Sequence, residues 1–260
     1  MLQFVEFEED DGVAIITLNR PEKLNALNRQ MATEINAVFR EFFDSKSLRV
    51  AVYKARGRSF SGGADVVDMR AAFNEAPADA QGEAVKNFTI DFEEVEFCEK
   101  PIIAAIQGQC VGFGMTSSLA CDIRIAANDA KFCLPEVKLG IASIHGNLRM
   151  VKMAGLARAM DLLLTGEMRS AQWALDAGVV NELVPMDALH DTAMAYARAI
   201  AAMDPAVIYA TRRIGYMSQY SSFSDIVTAG MALRVRSKID VDYVEAIAGG
   251  SRSAGGGARS

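Results

Sequence analysis

The sequence predicts an α/β fold that ends in a helical region, and three observations carry that prediction. Over the first 190 residues, short apolar runs suited to buried strands alternate with stretches of helical periodicity. Glycines cluster after two of those runs, where the chain turns out of a strand. Beyond about residue 190 the apolar spacing is helical throughout. Strands alternating with helices indicate a sheet joined by crossover connections.

Residues 3–9 and 12–18 alternate around Asp10-Asp11-Gly12, a hairpin signal, and the second strand ends at Pro21. From Leu27 to Phe43, Leu27, Met31, Ile35, Val38, Phe39, Phe42 and Phe43 form one helical face. Val50–Tyr53 is a short strand, followed by the polar loop KARGRSFSGGAD. Residues 65–82 are mixed and alanine-rich, a short helix and a connection around Pro77, and Ala84–Glu99 reads as a helix. The central stretch, KPIIAAIQGQCVGFG from Lys100 to Gly114, reads as a buried strand at Ile102–Ile106, a turn with Gly108, Gly112 and Gly114, and then a helix over MTSSLA. Ile123–Ala126 and Ala130–Cys133 are two further strands. His145–Ala154, Arg158–Leu164 and Ser170–Ala177 are helical, with a strand at Val179–Val184. Three helices follow, at 187–202, 205–218 and 222–248, with Asp204-Pro205 as a start signal.

These elements divide into a core at 1–190, a helical part at 191–248 and a glycine- and serine-rich tail at 249–260, expected to be disordered. The helical part is too thin to be a bundle alone, so its apolar faces pack on another subunit or on the core of the same chain. No internal repeat is visible.

Composition narrows the function. The chain has 260 residues, half of them apolar, and a net charge of −6. That balance is a poor match for nucleic acid, which needs a basic footprint, but it leaves room for a small anionic ligand. Cys98, Cys110, Cys121 and Cys133 lack C-x-x-C spacing, and no signal peptide precedes them, so they read as reduced thiols of a cytoplasmic protein. The only histidines, His145 and His190, lack ligand spacing, and no metal is expected. No window approaches the roughly 20 apolar residues of a membrane span.

A strand, a glycine-rich turn and a helix leave free backbone N–H groups at the helix start. Such a site holds a phosphate or an oxyanion that develops during a reaction. Alternatively, the glycines serve only close packing.

Five segments, in order, resemble the crotonase (enoyl-CoA hydratase/isomerase) family: ITLNRPEKLNAL (16–27), GRSFSGGAD (57–65), KPIIAAIQGQCVGFG with ACDIRIA (100–126), FCLPEVKLGI (132–141) and LLLTGEMRSAQWALDAGVVNELVP (162–185). The resemblance spans about residues 3–245. It implies a spiral core of ββα units with a helical C-terminal oligomerisation region, assembled as a homotrimer or a dimer of trimers. It also implies an acyl-CoA thioester substrate, with coenzyme A as part of the substrate and no separate cofactor, and a thioester enolate held by two backbone N–H groups.

Carried over by position, those donors are the N–H groups of Ala64 and Phe113. The family usually has glycine where Phe113 stands; a backbone donor survives the change unless positive φ is required. The phenyl ring has two destinations, the acyl pocket or the core behind the turn. Hydratases of the family use two glutamates. One matches Glu136, flanked by Leu134, Pro135 and Val137, where an apolar setting raises a carboxyl pKa. The other position is Thr116, whose hydroxyl cannot act as a base near neutral pH but can hold a water or a substrate oxygen. A single carboxylate suits double-bond isomerisation best, with hydration assisted by Thr116 or His145 close behind. Thioester hydrolysis, a hydratase-lyase reaction and a non-catalytic role are the alternatives. His145 either supplies an acid–base group or caps and packs a helix.

For coenzyme A, the matching positions are Lys23, Leu24 and Ala26 with Gly62, Gly63 and Asp65. Lys23 and Arg58 are either partners of its phosphates or solvated cations. Asp68, just beyond, either reaches the pocket or is solvated.

Overall fold

The structure, a computed structural model, describes residues 2–77, 79 and 88–234. Its main sheet has six strands in the order β1-β2-β3-β4-β6-β9. These are β1 (Val5–Asp10), β2 (Val13–Leu18), β3 (Val50–Ala55), β4 (Ile102–Ile106), β6 (Ile123–Ala127) and β9 (Glu182–Val184). The β1–β2 hairpin is antiparallel and the remaining pairs are parallel. Asp11 and Gly12 both take positive φ at the hairpin, the twist that a two-residue turn needs.

The central strands are apolar on both sides because both faces of the sheet are covered. On one face, Ile16, Tyr53, Ala104 and Ile106 pack with α1 (Arg29–Asp44) through Met31, Ile35, Phe39 and Phe42. On the other, Val13, Val52, Ile103 and Ile125 pack with α7 (Leu189–Ala201) through Leu189, Ala193, Met194 and Ala197.

A second, shorter layer of pairing follows the first. After β2, Leu27 bridges Ala64; after β3, Ser61 bridges Cys110. After β4, β5 (Gln109–Val111) pairs with β7 (Lys131–Cys133), which follows β6 and pairs in turn with β8 (Arg169–Ser170). Each turn of the chain thus adds one strand to the large sheet and one short strand or bridge to the small one. This is a ββα spiral with no repeat of sequence, because what recurs is backbone pairing and not side-chain identity.

Several boundaries differ from those read in the sequence. The helix expected over Ala84–Glu99 is α3 (Phe92–Phe97), and the described residues before it, Phe88–Asp91, are not helical. Asp91 explains its start, since its side chain accepts from Glu94 N and so caps the helix at that point. The remainder, 84–87, lies outside the described residues. The strand expected at Val179–Val184 is only Glu182–Val184. Two helices expected on either side of residue 156 form α5 (His145–Thr165), kinked at Gly155 with φ of 75°, and the helix expected at Ser170–Ala177 is α6 (Ala171–Asp176). Residues 107–114 are not one long turn, because β5 lies inside them.

The helical C-terminal part begins on its own chain. α7 forms the outer layer of the sheet, so the boundary near residue 190 does not separate this helix from the core. α8 (Pro205–Met217) docks through Arg212, which pairs with Asp122 at 2.8 Å and donates to the carbonyl of Glu96 at 3.0 Å. α9 (Phe223–Arg234) leaves Phe223, Val227 and Met231 exposed. The expected helix beyond Arg234 and the tail at 249–260 lie outside the described residues.

Two glycines separate steric need from conformational need. Gly108 and Gly140 both take positive φ, but a Cβ on Gly108 would lie 2.0 Å from the carbonyl oxygen of Arg58, while one on Gly140 would meet nothing within 4 Å. Gly140→Ala is therefore expected to cost about 1 kcal/mol, the left-handed penalty alone. Gly108→Ala is expected to cost more than about 2 kcal/mol, because backbone must move. Urea denaturation of the two variants measures the difference.

Candidate active site

The site grows from three loops at the ends of β2, β3 and β5. The first, Arg20 to Leu27, is fixed by buried Asn25. Asn25 Oδ1 accepts from Arg20 N, and its Nδ2 donates to the carbonyls of Arg56 and Ser59, each at 2.8 Å. This ties the first loop to the second. Gly62 N donates to Leu24 O at 2.7 Å, Leu27 N to Gly63 O at 2.8 Å, and Asp65 N to Leu27 O at 2.8 Å. Gly63 N donates to the hydroxyl of Ser61. Thus N–H groups on both sides of Ala64 are taken, whereas that of Ala64 has no acceptor among the described residues.

The third loop follows β5. Gly112 N donates to Cys133 O at 2.8 Å, and Phe113 then opens α4 (Phe113–Leu119). As the first residue of a helix, Phe113 has no intrahelical acceptor for its N–H, and none is found elsewhere among the described residues. The backbone demand falls on Gly112, at φ 50° and ψ −112°. Phe113 itself is not among the residues with positive φ, so a side chain is tolerated there without strain. Its ring is 8% exposed and belongs to the main core, the second of the two destinations the sequence left open.

The loops meet at their glycines. A Cβ on Gly112 would lie 3.6 Å from Gly63 Cα and 3.4 Å from Glu136 Oε1. These are ordinary van der Waals distances, so the two backbones and the carboxylate are in contact there, and what demands glycine at residue 112 is its positive φ.

Glu136 starts a short 3-10 turn (Glu136–Leu139) immediately after β7 and Pro135. Its Oε2 is buried and has no hydrogen-bond partner among the described residues. Burial pushes its pKa up from the ordinary carboxylate value, and a backbone hydrogen bond offsets part of the rise. A carboxyl with a raised pKa and an open, buried oxygen suits proton transfer.

Thr116 lies on α4, three residues after Phe113, and is 6% exposed. A Cβ on Gly146, in the first turn of α5, would lie 2.9 Å from both Thr116 Oγ1 and Ser143 Oγ, and 3.3 Å from Leu134 Cδ2. The structure therefore brings a second hydroxyl, Ser143, to the position where a second acid was expected. Nothing in the sequence pattern singles out Ser143.

His145 faces elsewhere. Its ring lies on Phe92, with centroids 5.0 Å apart, in a cleft shared with Asn36, Arg40 and Asp91. Burial, and then the charge of Arg149, lower its pKa. Among the described residues no hydrogen bond joins it to Glu136 or Thr116.

Asp65 has structural partners. It caps α2 (Val66–Glu75) by accepting from Asp68 N, and it pairs with Arg20 at 2.8 Å, both side chains being largely buried. Burial pushes its carboxyl up, but the hydrogen bonds and charge of Arg20, with the backbone bonds at the cap, outweigh this and lower its pKa. Asp68 accepts from Arg29 N at 3.2 Å, at the start of α1. Lys23 and Arg58 are exposed, on loops that touch at Pro21 and Gly57. The carbonyls of Lys23, Leu24 and Ala26 are already engaged, by Ala26 N, Gly62 N and Arg20 Nη1 respectively. Among the described residues no group of three or more metal-ligating side chains occurs, and no helix is long and apolar enough to cross a membrane.

Two free donors from separate loops suit one oxygen better than a phosphate, whose three oxygens call for a wider cradle. The arrangement as a whole can hold one developing oxyanion beside one proton-transfer group.

Comparison with known proteins gives a consistent result. The family model described as enoyl-CoA hydratase/isomerase matches residues 8–226. A probable enoyl-CoA hydratase of Mycobacterium bovis is 37% identical over 201 residues, covering 75% of this chain and 74% of that one. An (E)-benzylidenesuccinyl-CoA hydratase of Thauera aromatica is 35% identical over 219 residues, covering 83% of each. Among solved structures, the enoyl-CoA hydratase of Bacillus anthracis superposes with a TM-score of 0.85 at 27% identity, covering 94% of this chain and 96% of that one.

Proposed function

The chain belongs to the enoyl-CoA hydratase/isomerase family and is an acyl-CoA enzyme of it; from that premise we propose that it forms a thioester enolate held by the N–H groups of Ala64 and Phe113, with Glu136 moving the proton. The observation that carries this reading is the meeting of Gly63, Gly112 and Glu136 Oε1, which places an open carboxylate beside two loops that each offer an unpaired donor. As the α-proton leaves, charge builds on the thioester oxygen, where preorganised donors contribute about 3–4 kcal/mol each.

With one carboxylate the simplest reaction is isomerisation. Glu136 takes a proton from Cα of a 3-enoyl thioester, the dienolate rests on the two donors, and the same carboxyl returns the proton to Cγ. A second reading, hydration of a 2-enoyl thioester, is favoured by the hydroxyls of Thr116 and Ser143 and by the names of the relatives above. The proposal leaves His145 to pack on Phe92. Lys23, Leu24, Ala26, Gly62 and Gly63 line the path of the coenzyme, with Asp65 fixing that loop through Arg20.

The two reactions have opposite pH dependence. Isomerisation starts from ionised Glu136, so kcat/KM falls as the pH drops through its raised pKa. Hydration needs Glu136 protonated to supply Cα, so kcat/KM falls as the pH rises through the same value. Assays on 2-enoyl and 3-enoyl thioesters across the pH range, following water addition, isomerisation and release of free CoA together, decide between them. Release of CoA without either product would support a hydrolase or hydratase-lyase instead, and no turnover on any thioester would support a non-catalytic member.

The same proposal includes assembly as a trimer or a dimer of trimers in the cytoplasm. Exposed Leu148, Leu156, Leu164, Phe223 and Met231 supply apolar surface for a partner copy, and all four cysteines are free thiols. Light scattering of the purified protein measures the assembly.

A further inference from the structure

We propose that Ser61 is a positioning residue of the oxyanion site, its buried hydroxyl fixing the aim of the Ala64 N–H at the thioester oxygen. The inference rests on the enolate reading above and adds to it the side chain that sets the geometry of one donor.

Ser61 stands where the three loops of the site meet. It is fully buried, and its hydroxyl is satisfied twice. The hydroxyl donates to Asn25 O at 2.8 Å in the first loop and accepts from Gly63 N at 3.2 Å in the second. The backbone of Ser61 joins β5, from which the third loop leaves. Ser61 N donates to Gln109 O, and Val111 N donates to Ser61 O, each at 2.9 Å. Its Cβ also packs against α4, since a Cβ on Gly114, the residue after Phe113, would lie 2.7 Å from it. Ser61 thus touches the helix start that carries one donor and holds the segment that carries the other.

The hydroxyl acts on the Ala64 donor through two peptide planes. A trans peptide points its C=O and its N–H in opposite directions, and no peptide bond among the described residues is cis. Gly63 O accepts from Leu27 N at 2.8 Å, so the Ala64 N–H in the same plane points away from Leu27. The preceding plane is held by the bond from Gly63 N to the Ser61 hydroxyl. Gly63 joins the two planes at φ 106°, in a region open to glycine, where the backbone swings easily unless both sides are pinned. A serine hydroxyl pins one side while anchoring itself to Asn25, because it has a proton to give and lone pairs to accept. Alanine does neither. Preorganised donors act through fixed aim, so a loosened Gly63 weakens the donor that follows it.

The test reads the bound carbonyl directly. Crotonyl-CoA labelled with carbon-13 at the thioester carbon is bound to Glu136→Gln alone and with Ser61→Ala, Ser61→Cys or Ser170→Ala added. The infrared carbonyl stretch is recorded for each. The Ser61 and Ser170 variants are also assayed with Glu136 in place, on crotonyl-CoA and 3-hexenoyl-CoA. Ser170 caps α6 by accepting from Trp173 N at 3.1 Å, so its loss costs stability outside the three loops. Ser61→Ala is expected to return the stretch part of the way to that of the free thioester. It is expected to lower kcat about 10-fold, a fraction of the 10²–10³-fold that follows removal of a whole donor. Affinity for saturated butyryl-CoA is expected to stay within about 3-fold. Ser61→Cys, with a weaker donor and acceptor, is expected to fall between serine and alanine, and it carries the test if Ser61→Ala does not fold. Ser170→Ala is expected to leave stretch and kcat unchanged. A stretch that Ser61→Ala does not move, or a loss of kcat that Ser170→Ala reproduces, would overturn the inference. Failure of the enolate reading is separable, since it appears as an unlowered stretch in Glu136→Gln with Ser61 intact.

Discussion

Glu136→Gln lowers turnover on enoyl thioesters by about 10²–10⁴-fold, the usual contribution of a positioned acid–base group, and at the same time stabilises the protein at neutral pH. Both effects come from one observation, a buried carboxyl with an oxygen that nothing pairs. Its pKa is raised in the folded protein, chiefly by burial. A raised value means that the folded state binds the proton more tightly than the unfolded chain. The stability linked to Glu136 is therefore complete below the unfolded-state pKa and is lost as the pH rises through the folded-state pKa. Glutamine carries no charge to desolvate, so Tm at pH 7 is expected to be higher in the variant, and the gain shrinks as the pH falls through the raised folded-state pKa and is gone below about 4. Paired measurements of kcat/KM and Tm between pH 4 and 8 check both. A variant that is less active but shows no pH-dependent gain would mean that the carboxyl is not desolvated.

The second large effect concerns the donor at Phe113. Proline has no N–H, yet it is tolerated at the first position of a helix, which is where Phe113 stands. Phe113→Pro removes the donor and the ring together, while Phe113→Ala removes only the ring. The ring packs in the core, so both variants lose about 3–5 kcal/mol of stability. Activity separates them. Relative to Phe113→Ala, Phe113→Pro is expected to lose a further 10²–10³-fold in kcat, roughly the cost of one oxyanion donor. Equal activity in the two variants would show that the N–H of Phe113 does not hold the reacting oxygen.

Much of the candidate site was legible in the sequence because it is built from backbone. Gly62 marks a place where the chain packs tightly on Leu24, and Gly63 and Gly112 take conformations that other residues avoid. Glu136 was legible because an acid among apolar neighbours just after a strand has few ways to stay hydrated. The convergence of distant residues was not legible. Ser143 reaches Thr116 only because α5 packs against α4 with Gly146 at the contact, and no local spacing encodes that meeting. Asp65 matches a coenzyme-binding segment, but its side chain is occupied by Arg20 and by the start of α2. The ββα spiral left no repeat in the sequence, since the recurring strand-and-bridge pairing tolerates different side chains in each turn. The shortened α3 was missed because apolar periodicity continues upstream of Asp91, and the cap decides where the helix begins.

The central claim is that two backbone donors, Ala64 and Phe113, grip a thioester oxygen while Glu136 moves the proton. Its most direct test is the infrared carbonyl stretch of an enoyl-CoA labelled with carbon-13 at the thioester carbon, bound to Glu136→Gln so that it does not react. A stretch lowered from that of the free thioester is expected in Glu136→Gln, retained when Phe113→Ala is added and largely lost when Phe113→Pro is added. A stretch equal to that of the free thioester in Glu136→Gln, or one lowered equally by the alanine and proline variants, would contradict it.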